Sequence, residues 1–294
     1  MNPKIKKIIA RKGIVLSLMA LFLLVAGHLY AYSFDIEDMD KGVKYLQEGK
    51  LNEAIHQFTK IIQQDPAFIP AYGYRADALR LKGDSNGALS DYDAIIAITP
   101  KDALTYNNRG SLYKQMGELE KAITDYNRAI EINPEYLLAY YNRGTVYLLQ
   151  KEYGKAISDF NKALELDSKF SFAYLNRGVA YYEQDKFKQA ISNLNKSIEL
   201  NTEGRGERSN YKAFTYRGLI YYKEKNLDQA ISDYTKATEL NPNGVEAYNN
   251  RAEAYYDKGE YQKSWDDIHS LEALGVHGDA EFMDKLRKAS KKEK

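Results

Sequence analysis

Three stretches of this chain repeat nearly letter for letter: Tyr106-Asn-Asn-Arg-Gly110, Tyr140-Tyr-Asn-Arg-Gly144 and Tyr174-Leu-Asn-Arg-Gly178 lie 34 residues apart. A fixed period of that size implies small supersecondary units, each too small to bury its own apolar face, stacked so that neighbours complete one core. Counting slots from Ala103, each unit carries an aromatic at slot 4, Gly at slot 8, Tyr at slot 11, Ala at slot 20, an aromatic at slot 24 and often Pro at slot 32. Residues 103–136 fill all six with Tyr106, Gly110, Tyr113, Ala122, Tyr126 and Pro134. The frame extends over 35–68, 69–102, 103–136, 137–170 and 171–204, then over 211–244 and 245–278 after an insertion at 205–210.

Slots 4, 8 and 11 have helical i, i+4, i+7 spacing, as do slots 20, 24 and 27, so each unit is predicted to be a hairpin of two helices with facing stripes. Gly within a helix costs about 1 kcal/mol relative to Ala, so its return at slot 8 (Gly110, Gly144, Gly178, Gly218) asks for a steric reason, met if it and the slot 20 alanines let the helices approach. Pro66, Pro100, Pro134 and Pro242 end the second helix. Asp279 is an N-cap candidate ahead of Phe282, Met283 and Leu286 on one stripe, which predicts a capping helix and charged tail over 279–294. The insertion, with Gly204 and Gly206 at hand, is expected to be the weakest joint.

The period and slot pattern resemble those of the tetratricopeptide repeat. The resemblance implies an all-α fold: an α-solenoid, a right-handed superhelix of seven helical hairpins plus the C-terminal capping helix. It also implies a protein-binding scaffold holding an extended peptide or a helix of a protein partner on a concave inner surface formed by the first helices. A second copy of the chain fits the same description.

The slot before Gly is Arg in six units (Arg75, Arg109, Arg143, Arg177, Arg217, Arg251), and slot 23 is acidic in most of them (Asp91, Asp125, Asp159, Asp233, Asp267; Asn193 in the fifth). An unpaired guanidinium beside an apolar seam is costly, so these rows read as a structural ladder of pairs. The first unit has Lys41 and Gln57 there and should lack the ladder. Fourteen of the 26 tyrosines fall on slots 4, 11 and 24 and are assigned to the core. Tyr74, Tyr141, Tyr182, Tyr216, Tyr222 and Tyr256 occupy slots 5, 6 or 12, on the side of the first helix turned from its own seam, and Asn108, Asn142, Asn176 and Asn250 recur there at slot 6. These ten are the candidate partner-binding residues. In the family, asparagines on this face can hold a ligand's backbone amides, and an Asn that merely bonds its neighbouring repeat is the plainer alternative. The family's basic clamp for a C-terminal carboxylate is absent: no unit has Lys at slot 5 with Asn at slot 9, and the one Lys at slot 2 is Lys212. Stacking of saccharide or cell-wall glycan on the tyrosines is the alternative function.

No catalytic constellation appears, so no enzyme is expected. The chain has no cysteine; His28 lies in the N-terminal segment, His56 stands alone, and His269 and His277 have no matched carboxylates for a metal site. Nothing points to a cofactor. Of the 42 basic residues, Lys4, Lys6, Lys7, Arg11 and Lys12 precede the body, leaving 37 against 41 acidic ones, a poor match for nucleic acid. Those five precede an uncharged run, Ile14 to Phe34, so residues 1–34 are predicted to be a signal peptide or an N-terminal membrane anchor. The short apolar core and small residues Ala31 and Ser33 favour cleavage near Ser33, whereas the full run is long enough to span a bilayer. Either way the basic flank keeps the N-terminus cytoplasmic and the repeats outside, periplasmic or tethered to the inner membrane.

Overall fold

The computed structural model describes residues 37–201 and 210–292. The N-terminal segment, most of the insertion and the last two residues lie outside them. Among the described residues all regular structure is helical. Helix α1 covers 37–47, followed by α2 (Leu51–Gln64), α3 (Ile69–Lys82), α4 (Ser85–Ile98), α5 (Ala103–Gln115), α6 (Leu119–Ile132), α7 (Leu137–Leu149) and α8 (Tyr153–Leu166). Then come α9 (Ser171–Tyr182), α10 (Phe187–Asn201), α11 (Tyr211–Lys223), α12 (Leu227–Leu240), α13 (Val245–Asp257), α14 (Tyr261–Ala273) and α15 (Ala280–Lys292). The chain forms two compact units, Met1–Glu118 and Leu119–Lys294. Within the second, each helix packs on the next, and α7, α9, α11 and α13 also touch as one row.

The turn inside every hairpin is one device repeated seven times. The slot 16 N–H donates to the slot 11 carbonyl at 2.8–2.9 Å, from Lys50 to Tyr45 through Glu260 to Tyr255, the six-to-one bond of a Schellman ending. That bond requires a left-handed residue at slot 15. Gly49, Gly83, Gly117 and Gly259 supply it, but Lys151, Asp185 and Lys225 hold φ of 55–61° with a side chain attached. A left-handed residue with a Cβ is strained by roughly 1–2 kcal/mol, so the same turn is less comfortable in those three hairpins. Between hairpins, α2, α4, α6 and α12 end two residues before their prolines.

The slot 24 side chains Phe58, Tyr92, Tyr126, Phe160, Leu194, Tyr234 and Ile268 are buried, as are the small residues at slot 20. Glycine at slot 8 makes room for that ring more than for a neighbouring backbone. A Cβ on Gly144 would lie 2.8 Å from Phe160, on Gly218 2.6 Å from Tyr234, and on Gly42 2.6 Å from Phe58. The first helices do not bury the stripe expected of them. Their fully buried positions are slots 3, 8 and 10, for example Ala139, Gly144 and Val146, whereas the tyrosines at slots 4 and 11 are half-buried.

At the C-terminus, the Asp279 carboxylate accepts from the Phe282 N–H at 2.8 Å, starting α15. Leu286 is buried and Phe282 and Met283 pack with it over Ile268 and Leu271. Hydrogen bonds join the hairpins on either side of the insertion. Asn201 donates to the Asn210 side chain at 2.8 Å, and Arg217 reaches Asn195 across 22 residues at 2.5 Å, where the other hairpins make the same contact across 16. The extra residues therefore leave the packing register unchanged.

Candidate functional site

Six arginines in register are the most conspicuous charged feature, and their geometry is structural. Arg75, Arg143, Arg217 and Arg251 each hold the aspartate of their own second helix through a fork, Nε to Oδ2 at 2.7–3.0 Å and Nη2 to Oδ1 at 2.6–2.7 Å. Arg177 meets Asn193 instead, at 2.7 Å. A third bond was not legible in the pairing of slots 7 and 23. Nη1 reaches back to slot 25 of the preceding hairpin, to Thr59, Asp93, Asn127, Asn161, Asn195 and Thr235 at 2.5–3.0 Å. The unbroken polar column at slot 25 was the available signal. Each guanidinium also lies 5.2–5.7 Å from the slot 4 ring, which explains why those aromatics sit at the edge of the core. Burial pushes the Asp91 and Asp267 carboxyls up, opposed by hydrogen bonds and charge from their arginines. In the first hairpin, Gln57 is buried with its Nε2 unpartnered among the described residues.

Of the ten candidate partner-binding residues, Tyr74 alone is exposed, and it stacks on Phe58 with ring centroids 5.6 Å apart. The others are half-buried. Tyr141 packs against Phe160 and Phe170 and accepts a hydrogen bond from Asn176 of the next hairpin at 3.1 Å, the neighbour-bonding role foreseen for such an Asn. Tyr182 meets Tyr216 edge-on at 5.5 Å, under the Lys223 ammonium. Burial, then Glu246, Glu183 and Tyr182, push the Tyr216 phenol up to about 12. Tyr222 donates to Asp257 at 2.7 Å, and Tyr256 packs on Tyr261 and Phe282 beneath α15. Asn142 is half-buried, and Asn250 has a buried Nδ2 without a hydrogen-bond partner among the described residues.

Asn108 belongs to a cavity of about 150 Å³ in the first unit, lined also by Asp77, Arg80, Tyr92, Ser111, Leu112 and Gln115. In slot terms these are 9, 12 and 24 of one hairpin and 6, 9, 10 and 13 of the next. The residues that sequence reasoning passed over are apolar. Leu81 and Leu104 in the first unit, and Leu138, Leu149 and Phe172 in the second, are 44–64% exposed and, with the candidate Tyr74 at 39%, all fall on slots 2, 6 and 13 of first helices. Slots 2, 6, 9 and 13 form one helical stripe on the face turned from the hairpin's own second helix. A column of large apolar residues there was the missed signal.

Among the described residues, no three acidic or histidine side chains are grouped to hold a metal ion, and no helix is long and apolar enough to cross a membrane. Family models described as tetratricopeptide repeat match residues 39–103, 92–124, 138–170 and 171–202, and one described as TPR repeat matches 110–151 and 218–259. No curated protein sequence matches the chain. Among solved structures, a tetratricopeptide repeat protein from Parabacteroides merdae is 24% identical over 87% of this chain and 98% of its own, with TM-score 0.65. The pilF protein of Pseudomonas aeruginosa is 20% identical over 76% and 99%, with TM-score 0.63, and MamA is 27% identical over 57% and 92%, with TM-score 0.52. Hairpins of one period, a slot 8 glycine under a slot 24 ring, and family models together spanning more than half its length establish that the chain belongs to the tetratricopeptide repeat family of protein-binding scaffolds.

Proposed function

We propose that the protein is a non-catalytic scaffold of the cell envelope that holds an extended segment or helix of a protein partner against the outward stripe of its first helices. The observation that carries this reading is the placement of exposed apolar residues. Six of the large apolar side chains left in solvent share slots 2, 6 and 13, where core packing does not need them. Contiguous exposed apolar surface in a folded protein marks an interaction site. In the second unit Leu138 and Leu149 lie near the two ends of α7 and Phe172 at the start of α9, and these two helices are in contact. Replacing Leu138, Leu149 and Phe172 together with Ser is expected to leave the unfolding transition nearly in place, since exposed sites typically contribute within about 0.5 kcal/mol each. The same variant is expected to lose a saturable protein band that the unaltered chain captures from an envelope extract. Capture that survives the substitutions would place binding on another surface, and retention on cell-wall glycan instead of protein would favour the saccharide alternative. Tyrosine rings that such stacking would use are already packed on other rings, Tyr141 on Phe160 and Phe170 and Tyr182 on Tyr216.

The envelope assignment rests on the basic, then apolar, N-terminal segment. Expression of the full gene in a bacterial host is expected to yield a mature N-terminus near Phe34 by mass spectrometry. Full-length chain in the membrane fraction would establish the anchor, and full-length chain in the cytoplasm would remove the protein from the envelope.

A further inference from the structure

The slots that line the polar cavity of the first unit recur between the last two hairpins, where they hold different chemistry. Tyr222 is at slot 12 and Tyr234 at slot 24 of the sixth hairpin, with Asn250, Glu253 and Asp257 at slots 6, 9 and 13 of the seventh. The Tyr234 ring passes beneath α11 at Gly218, where a Cβ would lie 2.6 Å from it, and packs with Tyr222 and with Ala254 of α13. It has no exposed surface, yet its hydroxyl has no hydrogen-bond partner among the described residues, and its electrostatic neighbours are Tyr182, Tyr222, Glu253 and Asp233. A buried hydroxyl left unpaired costs about 1–3 kcal/mol, so its retention beside acidic groups requires a reason.

The surrounding charge supplies one. Glu253 and Asp257 have no basic partner within salt-bridge distance among the described residues, and Asp279 adds a third negative charge near Glu253. Desolvation, then Asp257 and Asp279, hold the Glu253 carboxyl above its ordinary range. Of the nearby cations, Lys223 sits over Tyr182 at 4.7 Å and near Asp185, Lys258 is paired with Asp228 and Glu260 at 2.7 Å, and Lys225 lies over the Tyr222 ring at 5.6 Å. Tyr222, whose hydroxyl is already turned to Asp257, closes the rim.

We propose that the face between α11 and α13 receives a lysine or arginine side chain of the partner segment, with Glu253 and Asp257 as counter-charges, the Tyr222 hydroxyl as a neutral acceptor at the rim and the unsatisfied Tyr234 hydroxyl beneath it. This rests on the reading of the first-helix face as the binding surface and narrows the partner to an amphipathic, basic segment. The apolar residues of that segment lie on Leu138, Leu149 and Phe172. The cation offsets the like-charge repulsion of Glu253 with Asp257 and Asp279; Lys285 bears on Asp279, but neither Glu253 nor Asp257 has a basic partner within salt-bridge distance among the described residues.

The test is fluorescence anisotropy on the full chain with two short fluorescein-labelled peptides, one alternating leucine and lysine and one alternating leucine and glutamate. The leucine–lysine peptide is expected to bind and the other to bind at least about tenfold more weakly. Glu253→Gln with Asp257→Asn, both at the surface, should remove that preference. Tyr234→Phe should weaken the leucine–lysine peptide several-fold with no fall in melting temperature. Equal binding of the two peptides, unchanged affinity in the double variant, or unchanged affinity in Tyr234→Phe overturns the cation site. If both peptides bind alike and both are lost in the Leu138, Leu149 and Phe172 serine variant, the face still binds partners and only its charge preference is wrong. Absence of binding by either peptide overturns both readings.

Discussion

Arg217→Met is expected to destabilise the second unit by about 2–4 kcal/mol, because it leaves the buried Asp233 carboxylate without its fork and Asn195 of the preceding hairpin without a donor. The arginine side chain is partly exposed, which places the effect below that of a fully buried pair. Adding Asp233→Leu should recover much of the loss, since a buried ion pair replaced on both sides by apolar groups is often close to neutral. Arg217→Lys should fall between, keeping the charge but not the planar fork that serves Asp233 and Asn195 together. Urea unfolding followed by circular dichroism measures all three. A loss under about 0.5 kcal/mol for Arg217→Met would mean that the ladder does not hold the hairpins together and would return the arginines to the list of ligand candidates.

Gly144→Leu is expected to cost about 3 kcal/mol. The Cβ alone would approach Phe160 to 2.8 Å and the Asp159 Cβ to 3.2 Å, and the remaining carbons have no space on that side. Replacing Gly in a helix would otherwise gain about 1 kcal/mol, so the overpacking must outweigh this gain. Gly73→Ala on α3 is the control. Nothing lies within 4 Å of its added carbon, and it should stabilise the chain by up to about 1 kcal/mol. Combining Gly144→Leu with Phe160→Leu should restore part of the loss, because the ring and not the backbone is what the new side chain meets. If Gly144→Leu melts like the unaltered chain, the slot 8 glycine has a purpose other than making room for slot 24.

The outward stripe illustrates how far periodicity reaches. Tyr141 and Tyr182 read as facing away from their own seam, but that side is also where the next hairpin arrives, so Asn176 and Tyr216 meet them, while Tyr141 packs on Phe160 and Phe170 of its own hairpin as well. Angular position on one helix cannot separate a residue facing solvent from one facing a neighbour. Leu138, Leu149 and Phe172 remain exposed although their side chains are as apolar as those in the core, and a hydrophobicity pattern therefore files them as ordinary helix. Asn250 and Asn176 hold the same slot with different outcomes. Asn176 has a tyrosine hydroxyl opposite it at slot 5 of the preceding hairpin, and Asn250 has Thr215 there.

By itself, the sequence determined what depends on the 34-residue period: paired helices, hairpin boundaries near the prolines, a capping helix from Asp279, and arginines paired with second-helix carboxylates. These follow because local helix geometry and chain connectivity bring the same slots together in every hairpin. Contacts between hairpins were decided only by the tertiary structure. It set the third bond of each arginine to slot 25, the half-burial of the slot 4 and 11 tyrosines, and the place beneath α11 of the Tyr234 hydroxyl, which has no hydrogen-bond partner among the described residues. Each depends on the angle and distance at which one packed surface meets another, which many side chains set together and no single column of the repeat encodes.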